Sequence, residues 1–292
     1  MTRPSILLQL DTDPQPSVFD AVVAVDAGVD HLLRHGAVTV DQVRSLVYGL
    51  IFTRGVNDLE RSAIFIGGSD VTAGEILLRE AQQAFLGPLR VSVMLDSNGA
   101  NTTAAAAVLA ASRHVDLTKS RAVVVAATGP VGSRAAELLA LAGAETLVGS
   151  RSLERAEATC RAILARHPQA RVAAMATESA SPDDVLSDAQ VVIAAGSPGV
   201  ELVSQESLAG CASLRVAIDL SAVPPPGIAG IEPHDQAREH NGCWLYGAIG
   251  VGGLKMKIHK AAVRRLFTAR DLTLDAEQIF ELARELDAAG RG

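Results

Sequence analysis

Residues 127–132, Ala127-Thr128-Gly129-Pro130-Val131-Gly132, stand between a β-branched run, Val123-Val124-Val125, and a stretch with helical spacing. Glycines at the second and third positions of a turn patterned on Gly-x-Gly-x-x-Gly let backbone amides approach a pyrophosphate and let the following helix pack closely on its strand. Ala127 replaces the first glycine, so the turn draws its specificity from its setting. A helix over 133–142, a stop at Gly143 and a strand over 145–148 complete a βαβ unit. Past that second strand the chain reads Gly149-Ser150-Arg151-Ser152. An acidic residue there would bind a free ribose 2′-hydroxyl, whereas a guanidinium between two hydroxyls suits the 2′-phosphate of NADP. Farther on, the run Val191–Ala194 ends in Ala195-Gly196, a small-residue loop where a doubly wound sheet brings backbone close to a nicotinamide. The cofactor contacts expected are therefore Thr128, Gly129, Pro130, Val131, Gly132, Ser150, Arg151, Ser152, Ala195 and Gly196, with NADP as the ligand and NAD as a weaker one.

The elements that must carry these residues alternate along the chain. Ser5–Leu10 reads as a buried strand ending in the polar turn Asp11-Thr12-Asp13-Pro14, and Ser17 caps a helix through Val25. Asp20 on that helix and the two carboxylates before it either face a cleft or serve turn and helix start. Thr39-Val40-Asp41-Gln42 opens a helix that Thr53-Arg54-Gly55 ends. Ala63–Ile66 and Val91–Leu95 read as strands, with a helix over Val71–Phe85 between them. The loop Asp96-Ser97-Asn98-Gly99-Ala100-Asn101-Thr102-Thr103 leads into an alanine-rich helix to about Ser112 that bridges two domains. After the nucleotide motif come a helix over Leu153–Arg166, a strand over Arg171–Met175, a short helix over Pro182–Ser187 and a strand over Val216–Leu220. A rigid loop, Val223-Pro224-Pro225-Pro226-Gly227, follows. Trp244–Ile249 reads as the last strand, then a flexible run Gly250-Val251-Gly252-Gly253, a basic helix Leu254–Phe267 and a final helix Asp275–Leu286.

The fold expected is α/β: a Rossmann-type doubly wound parallel sheet over 113–252, and a discontinuous α/β catalytic domain over 1–112 and 253–292, with the active site in the cleft between them. A length of 292 residues suits two domains, and 48% hydrophobic residues suffice for two cores. The formal net charge of -7 disfavours nucleic-acid and anionic membrane surfaces. Cys160, Cys211 and Cys243 are widely spaced, with no Cys-x-x-Cys pair and no metal-ligand spacing. No apolar run reaches the ~18 residues of a membrane span. A cytoplasmic, reducing location without a metal is expected.

The segment 96–106, together with Asp11-Thr12-Asp13, Pro16-Ser17-Val18-Phe19-Asp20, Tyr48–Gly55, Thr128–Gly132 and Ala248–His259, resembles the NAD(P)-dependent methylene-tetrahydromethanopterin dehydrogenases of bacterial one-carbon metabolism. The resemblance covers nearly the whole chain. It departs at Ala127, where the family usually has glycine, and at Ser150, where glycine is frequent before the matching Arg151. It implies a pterin substrate bound between the domains, hydride transfer to NADP, and a homo-oligomer, commonly a trimer.

Given a pterin, whose 2-amino group and N3–H donate and whose lactam oxygen accepts, Asp96, Asn98, Asn101 and Thr102 supply matching groups, and Asp20 joins them as a substrate-binding candidate. Helix capping competes for Asn101 and Thr102. Lys255 and Lys257 are positioning candidates for the lactam oxygen or the anionic tail, with a solvated helix face as the alternative; His259 reads as structural. No catalytic acid or base is expected. Three other readings stand beside this one: a methylene-tetrahydrofolate dehydrogenase of the same fold, a shikimate- or glutamyl-reductase-like enzyme lacking an identifiable acid/base pair, and a non-catalytic pterin or nucleotide sensor.

Overall fold

The computed structural model describes residues 3–177 and 186–290. It divides the chain into two units, Met1–Thr102 with Met256–Gly292, and Thr103–Lys255. The first begins with alternating strands and helices: β1 (Ile6–Asp11), α1 (Val18–Asp26), β2 (His31–His35), α2 (Val40–Ile51), β3 (Ser62–Gly67), α3 (Val71–Gln83) and β4 (Ser92–Leu95), and α4 (Ala100–Ser112) starts in it and continues into the second. β3 and β4 are buried at every residue, as their unbroken apolar runs require of strands covered on both faces. Ser17 caps α1 by accepting from Asp20 N–H, and Gln42 Oε1 accepts from Thr39 N–H in a capping box at α2. β2 escapes the sequence reading because His31-Leu32-Leu33-Arg34-His35 lies at the sheet edge, largely exposed, with no apolar pattern to betray it.

The second unit contains β5 (Arg121–Val125), α5 (Pro130–Leu141), β6 (Glu145–Ser150), α6 (Leu153–Arg166), β7 (Val172–Ala176), β8 (Val191–Ala194), α7 (Gln205–Gly210), β9 (Val216–Asp219), β10 (Gln236–His240) and β11 (Cys243–Tyr246). The sheet order is β10-β11-β9-β8-β5-β6-β7, parallel except for β10, so successive connections run to one side of β5 and then to the other. This is the Rossmann arrangement, with its topological switch point between β5 and β8. The helix expected over Pro182–Ser187 lies outside the described residues at 182–185. Helix α5 begins three residues earlier than expected, because Pro130 occupies its first turn, where a missing N–H costs nothing.

The largest departure concerns the expected flexible glycine run. The last strand of this unit stops at Tyr246, and helix α8 (Ala248–Arg265) takes in Gly250, Val251, Gly252 and Gly253. Packing explains the glycines at this helix start: a Cβ at Gly247 would overlap the Glu232 carbonyl and one at Gly250 the Asp235 carbonyl. Close approach of backbone, not mobility, is what these two residues provide. Beyond α8, β12 (Thr273–Leu274) pairs with β4, giving the first unit an all-parallel sheet of order β12-β4-β3-β1-β2, and α9 (Ala276–Gly290) ends the chain. Trp244–Ile249 is thus not the last strand, since the two-residue β12 is too short to leave a sequence signal. Among the described residues no helix is long and apolar enough to cross a membrane.

Candidate functional site

In the second unit the carboxyl ends of β5, β6 and β8 surround a cavity of about 520 Å³. Its floor is the turn after β5. Ala126 takes a left-handed φ of 56°, and Ala127 N–H donates to Gly149 O on β6 at 2.8 Å, which folds the turn over the sheet edge. A Cβ at Gly132 would lie 2.8 Å from Ala126 O and from Ala127 Cα, so only glycine lets α5 sit this close to its strand. Gly129 is different: nothing lies nearer than 3.9 Å to a Cβ there, and added atoms would enter the cavity. The first turn of α5 carries no acidic side chain, which leaves the helix N-terminus attractive to an anion. A pyrophosphate fits this turn.

Thr128 and Gly129 line the cavity from below, and Ala195 and Gly196 line it on the β8 side. On the β6 side stand Ser150, Arg151 and Ser152. Pro130, Val131 and Gly132 shape the first turn of α5 without lining the cavity. Strand β6 extends to Ser150, two residues beyond the expected end, and this puts Arg151 just past the strand tip. Ser152 caps α6 by accepting from Arg155 N–H at 3.3 Å. Arg155 also lines the cavity, and sequence reading missed it. Its signal was available: it lies four residues after Arg151, in the first turn of a helix whose start Ser152 marks. Neither arginine side chain makes an ion pair or hydrogen bond to another described residue, so two guanidiniums are available to a phosphate dianion.

The substrate candidates of the first unit divide into two groups. Asp96, Asn101 and Thr102 are at most 2% exposed. Asp96 Oδ1 accepts from Thr102 N–H at 3.0 Å and Oδ2 from the Thr102 hydroxyl at 2.6 Å, while Asn101 Nδ2 donates to Leu95 O and Asp275 Oδ1. His259 on α8 is fully buried, stacks on Phe65 with centroids 5.7 Å apart, and holds Nδ1 3.9 Å from Asp96 Oδ2. The hydrogen bonds of Asp96, Asn101 and Thr102 thus run to one another, to the backbone and to Asp275. The expected loop is also shorter, because α4 starts at Ala100 and places Asn101 and Thr102 in its first turn.

Asn98 belongs to the second group. It is exposed, with φ 55°, and its N–H donates to Gly68 O at 2.6 Å, so its backbone is pinned while its amide side chain is open. Asp20 is half-buried, and a Cβ at Gly67 would lie 3.5 Å from its Oδ2 and 3.2 Å from Asp11 Oδ2. Asp11 itself is buried and accepts from the amides of Asp13 and Ser17, which is turn formation. Lys255 is half-buried and Lys257 exposed on α8, within a continuous helix and not after a mobile run. Among the described residues no group of three or more His, Cys, Asp or Glu is placed to hold a metal ion.

Comparison with known proteins adds to this geometry. The family model described as "Methylene-tetrahydromethanopterin dehydrogenase, N-terminal" matches residues 18–98. A protein of Methylorubrum extorquens named "Bifunctional protein MdtA" is 42% identical over 283 residues, covering 96% of this chain and 98% of the relative. A second protein of that organism, named "NAD(P)-dependent methylenetetrahydromethanopterin dehydrogenase", is 33% identical over 292 residues, covering 97% and 98%. Among solved structures, 5-ketofructose reductase of Gluconobacter sp. strain CHM43 aligns with a TM-score of 0.54 at 16% identity over 97% of this chain and 99% of that one. Quinate dehydrogenase from Corynebacterium glutamicum in complex with NAD aligns with a TM-score of 0.54 at 15% identity over 97% and 100%. At such identities these two structures speak to the fold alone.

Proposed function

The chain belongs to the methylene-tetrahydromethanopterin dehydrogenase family, and from that membership we propose that it moves a hydride reversibly between the carbon bridge of methylene-tetrahydromethanopterin and NADP. The oxidative products are methenyl-tetrahydromethanopterin and NADPH. The cofactor half of this reading is carried by the open glycine turn beneath the cavity, with Arg151 beyond the tip of β6 where an acidic residue would select NAD. The decisive assay follows NADPH absorbance with methylene-tetrahydromethanopterin and with methylene-tetrahydrofolate. Turnover of the first supports the reading, and turnover of the second alone transfers it to the folate relative. Failure of both, in protein that binds NADPH, makes the chain a sensor.

Bound NADP supplies the hydride acceptor. The reacting carbon bridges two nitrogens whose lone pairs stabilise the cation left behind, so the protein abstracts no proton. Its residues instead hold two ligands in a near-attack geometry and exclude water. Thr128 and Gly129, backed by the first turn of α5, seat the pyrophosphate, Arg151 holds the 2′-phosphate, and the loop after β8 forms the nicotinamide wall. Asn98 and Asp20 offer polar groups to the pterin, on a junction that Asp96, Asn101 and Thr102 keep rigid. The ammonium groups of Lys255 and Lys257 serve at the lactam or the anionic tail, because a positive charge beside the developing cation would oppose the reaction. With no titrating base in the step, single-turnover hydride transfer should change less than about twofold between roughly pH 6 and 8.5. The check is a pH profile with deuterium at the transferred position. A steep bell whose isotope effect persists on both limbs would reveal an acid or base in the step.

Self-association is the natural partner reading, because α1 leaves Val18, Phe19, Val22 and Val25 each at least half exposed. Light scattering should give a multiple of the 30.3 kDa chain mass, and Val22→Asp with Val25→Asp should lower it. A monomeric wild-type protein would end this reading.

A further inference from the structure

Asp219, the last residue of β9, is 1% exposed, and its carboxylate meets no cation among the described residues. It faces three backbone amides instead. Oδ1 accepts from Ser221 N–H at 2.9 Å, and Oδ2 accepts from Gly227 N–H at 2.7 Å and Ile228 N–H at 3.3 Å. These bonds fold the proline-rich segment 221–227 back onto the end of its own strand. Burying a carboxylate without a counter-charge is unfavourable, and here it pushes the Asp219 carboxyl above its ordinary range even against the amides that lower it. A residue kept at that cost invites a role beyond turn formation.

The link continues on the other side of the same peptide. Gly227 O accepts from Leu202 N–H at 2.8 Å and from Val203 N–H at 3.1 Å, and Ala229 N–H donates to Val203 O at 2.9 Å. Leu202 and Val203 line the cavity, and Leu202 Cδ1 lies 2.6 Å from where a Cβ of Gly196 would be. Gly227 has no room for a side chain, since its Cβ would lie 2.8 Å from Asp219 Oδ1 and 3.4 Å from Ala194 Cβ. One peptide thus joins a buried carboxylate to the cavity wall on the β8 side of the switch point. Arg151 and Arg155 stand after β6, on the opposite side of β5. A dinucleotide laid across the switch point with its adenosine phosphate at Arg151 puts its nicotinamide against this wall.

We propose that Asp219 is a positioning residue for hydride transfer: acting through the Gly227 peptide, it fixes the 196–203 wall on which the nicotinamide half of the cofactor rests, without touching that ring. The inference rests on the cofactor reading above. Asp219→Asn tests it, because the variant keeps the volume but turns an amino group toward amide donors that need an acceptor. Calorimetric titration with NADPH and with 2′,5′-ADP, which has the phosphorylated adenosine half and no nicotinamide, separates the two ends of the cavity. The expected result is a roughly tenfold loss for NADPH with 2′,5′-ADP within about twofold of wild type. Gly227→Ala crowds the same link without altering the carboxylate, since its Cβ would lie 2.8 Å from Asp219 Oδ1, and should reproduce this selectivity, which keeps the test open if the first variant folds poorly. Equal weakening of both ligands in both variants would make Asp219 a support of the fold only, and unchanged binding of both would remove it from the site; either result overturns the proposal. Wild-type protein that binds neither ligand would overturn the cofactor reading itself, and this inference with it.

Discussion

Replacing Arg151 with Ala is expected to weaken NADP binding about ten- to a hundredfold while leaving NAD nearly unchanged. A charge-assisted hydrogen bond is worth roughly 1.5–3 kcal/mol, and each 1.4 kcal/mol is about tenfold in affinity. The side chain makes no hydrogen bond or ion pair to another described residue, so its removal leaves no partner stranded and the loss falls on the ligand. Arg155 stands one turn along α6 on the same cavity, and its guanidinium should retain part of the phosphate affinity. The double variant should therefore lose more NADP affinity than Arg151→Ala alone. Dissociation constants for both cofactors, measured at fixed ionic strength, check this. Equal losses for NADP and NAD would show that Arg151 supports structure.

Replacing Asp96 with Ala should lower the stability of the first unit by about 2–4 kcal/mol, combining a lost helix cap with a buried amide and hydroxyl left without their acceptor. Both carboxylate oxygens are engaged by Thr102, and no water reaches them at 0% exposure. Asp96→Asn keeps one acceptor and should recover about half of the loss. Cofactor affinity should survive in both variants, because the cavity is lined by residues of the other unit alone. The measurement is the urea midpoint of each variant, followed by NADPH titration under folding conditions. Wild-type stability in Asp96→Ala together with a raised pterin Michaelis constant would instead support direct substrate contact by Asp96.

Sequence alone determined whatever depends on local period and on residues with special backbone chemistry. The β-branched runs marked β3, β5, β8 and β9, because a strand covered on both faces must be apolar throughout. Gly129 and Gly132 marked the turn, and Gly143 marked the end of α5, where its φ is 96°. The position of Arg151 could be read because it stands just past a strand whose end is itself local. Strands β2, β10 and β12 left no such mark, since edge and two-residue strands need no apolar pattern.

Only the tertiary structure decided which polar groups are open to a ligand. Asp96, Asn98, Asn101 and Thr102 are alike in a sequence, each a polar residue near a strand-to-helix junction. His259 and Asp275, far along the chain, approach Asp96 and Asn101, and Asn98 is left exposed. In the same way Gly250, which opens the expected flexible run, packs against the Asp235 carbonyl, and Gly247 before it packs against that of Glu232. Asp219 could not be read at all, because its partners are backbone amides, which every residue type but proline carries. The physical reason is common to these cases: a polar group buried without a partner is costly, so its partner decides its role, and long-range packing chooses that partner.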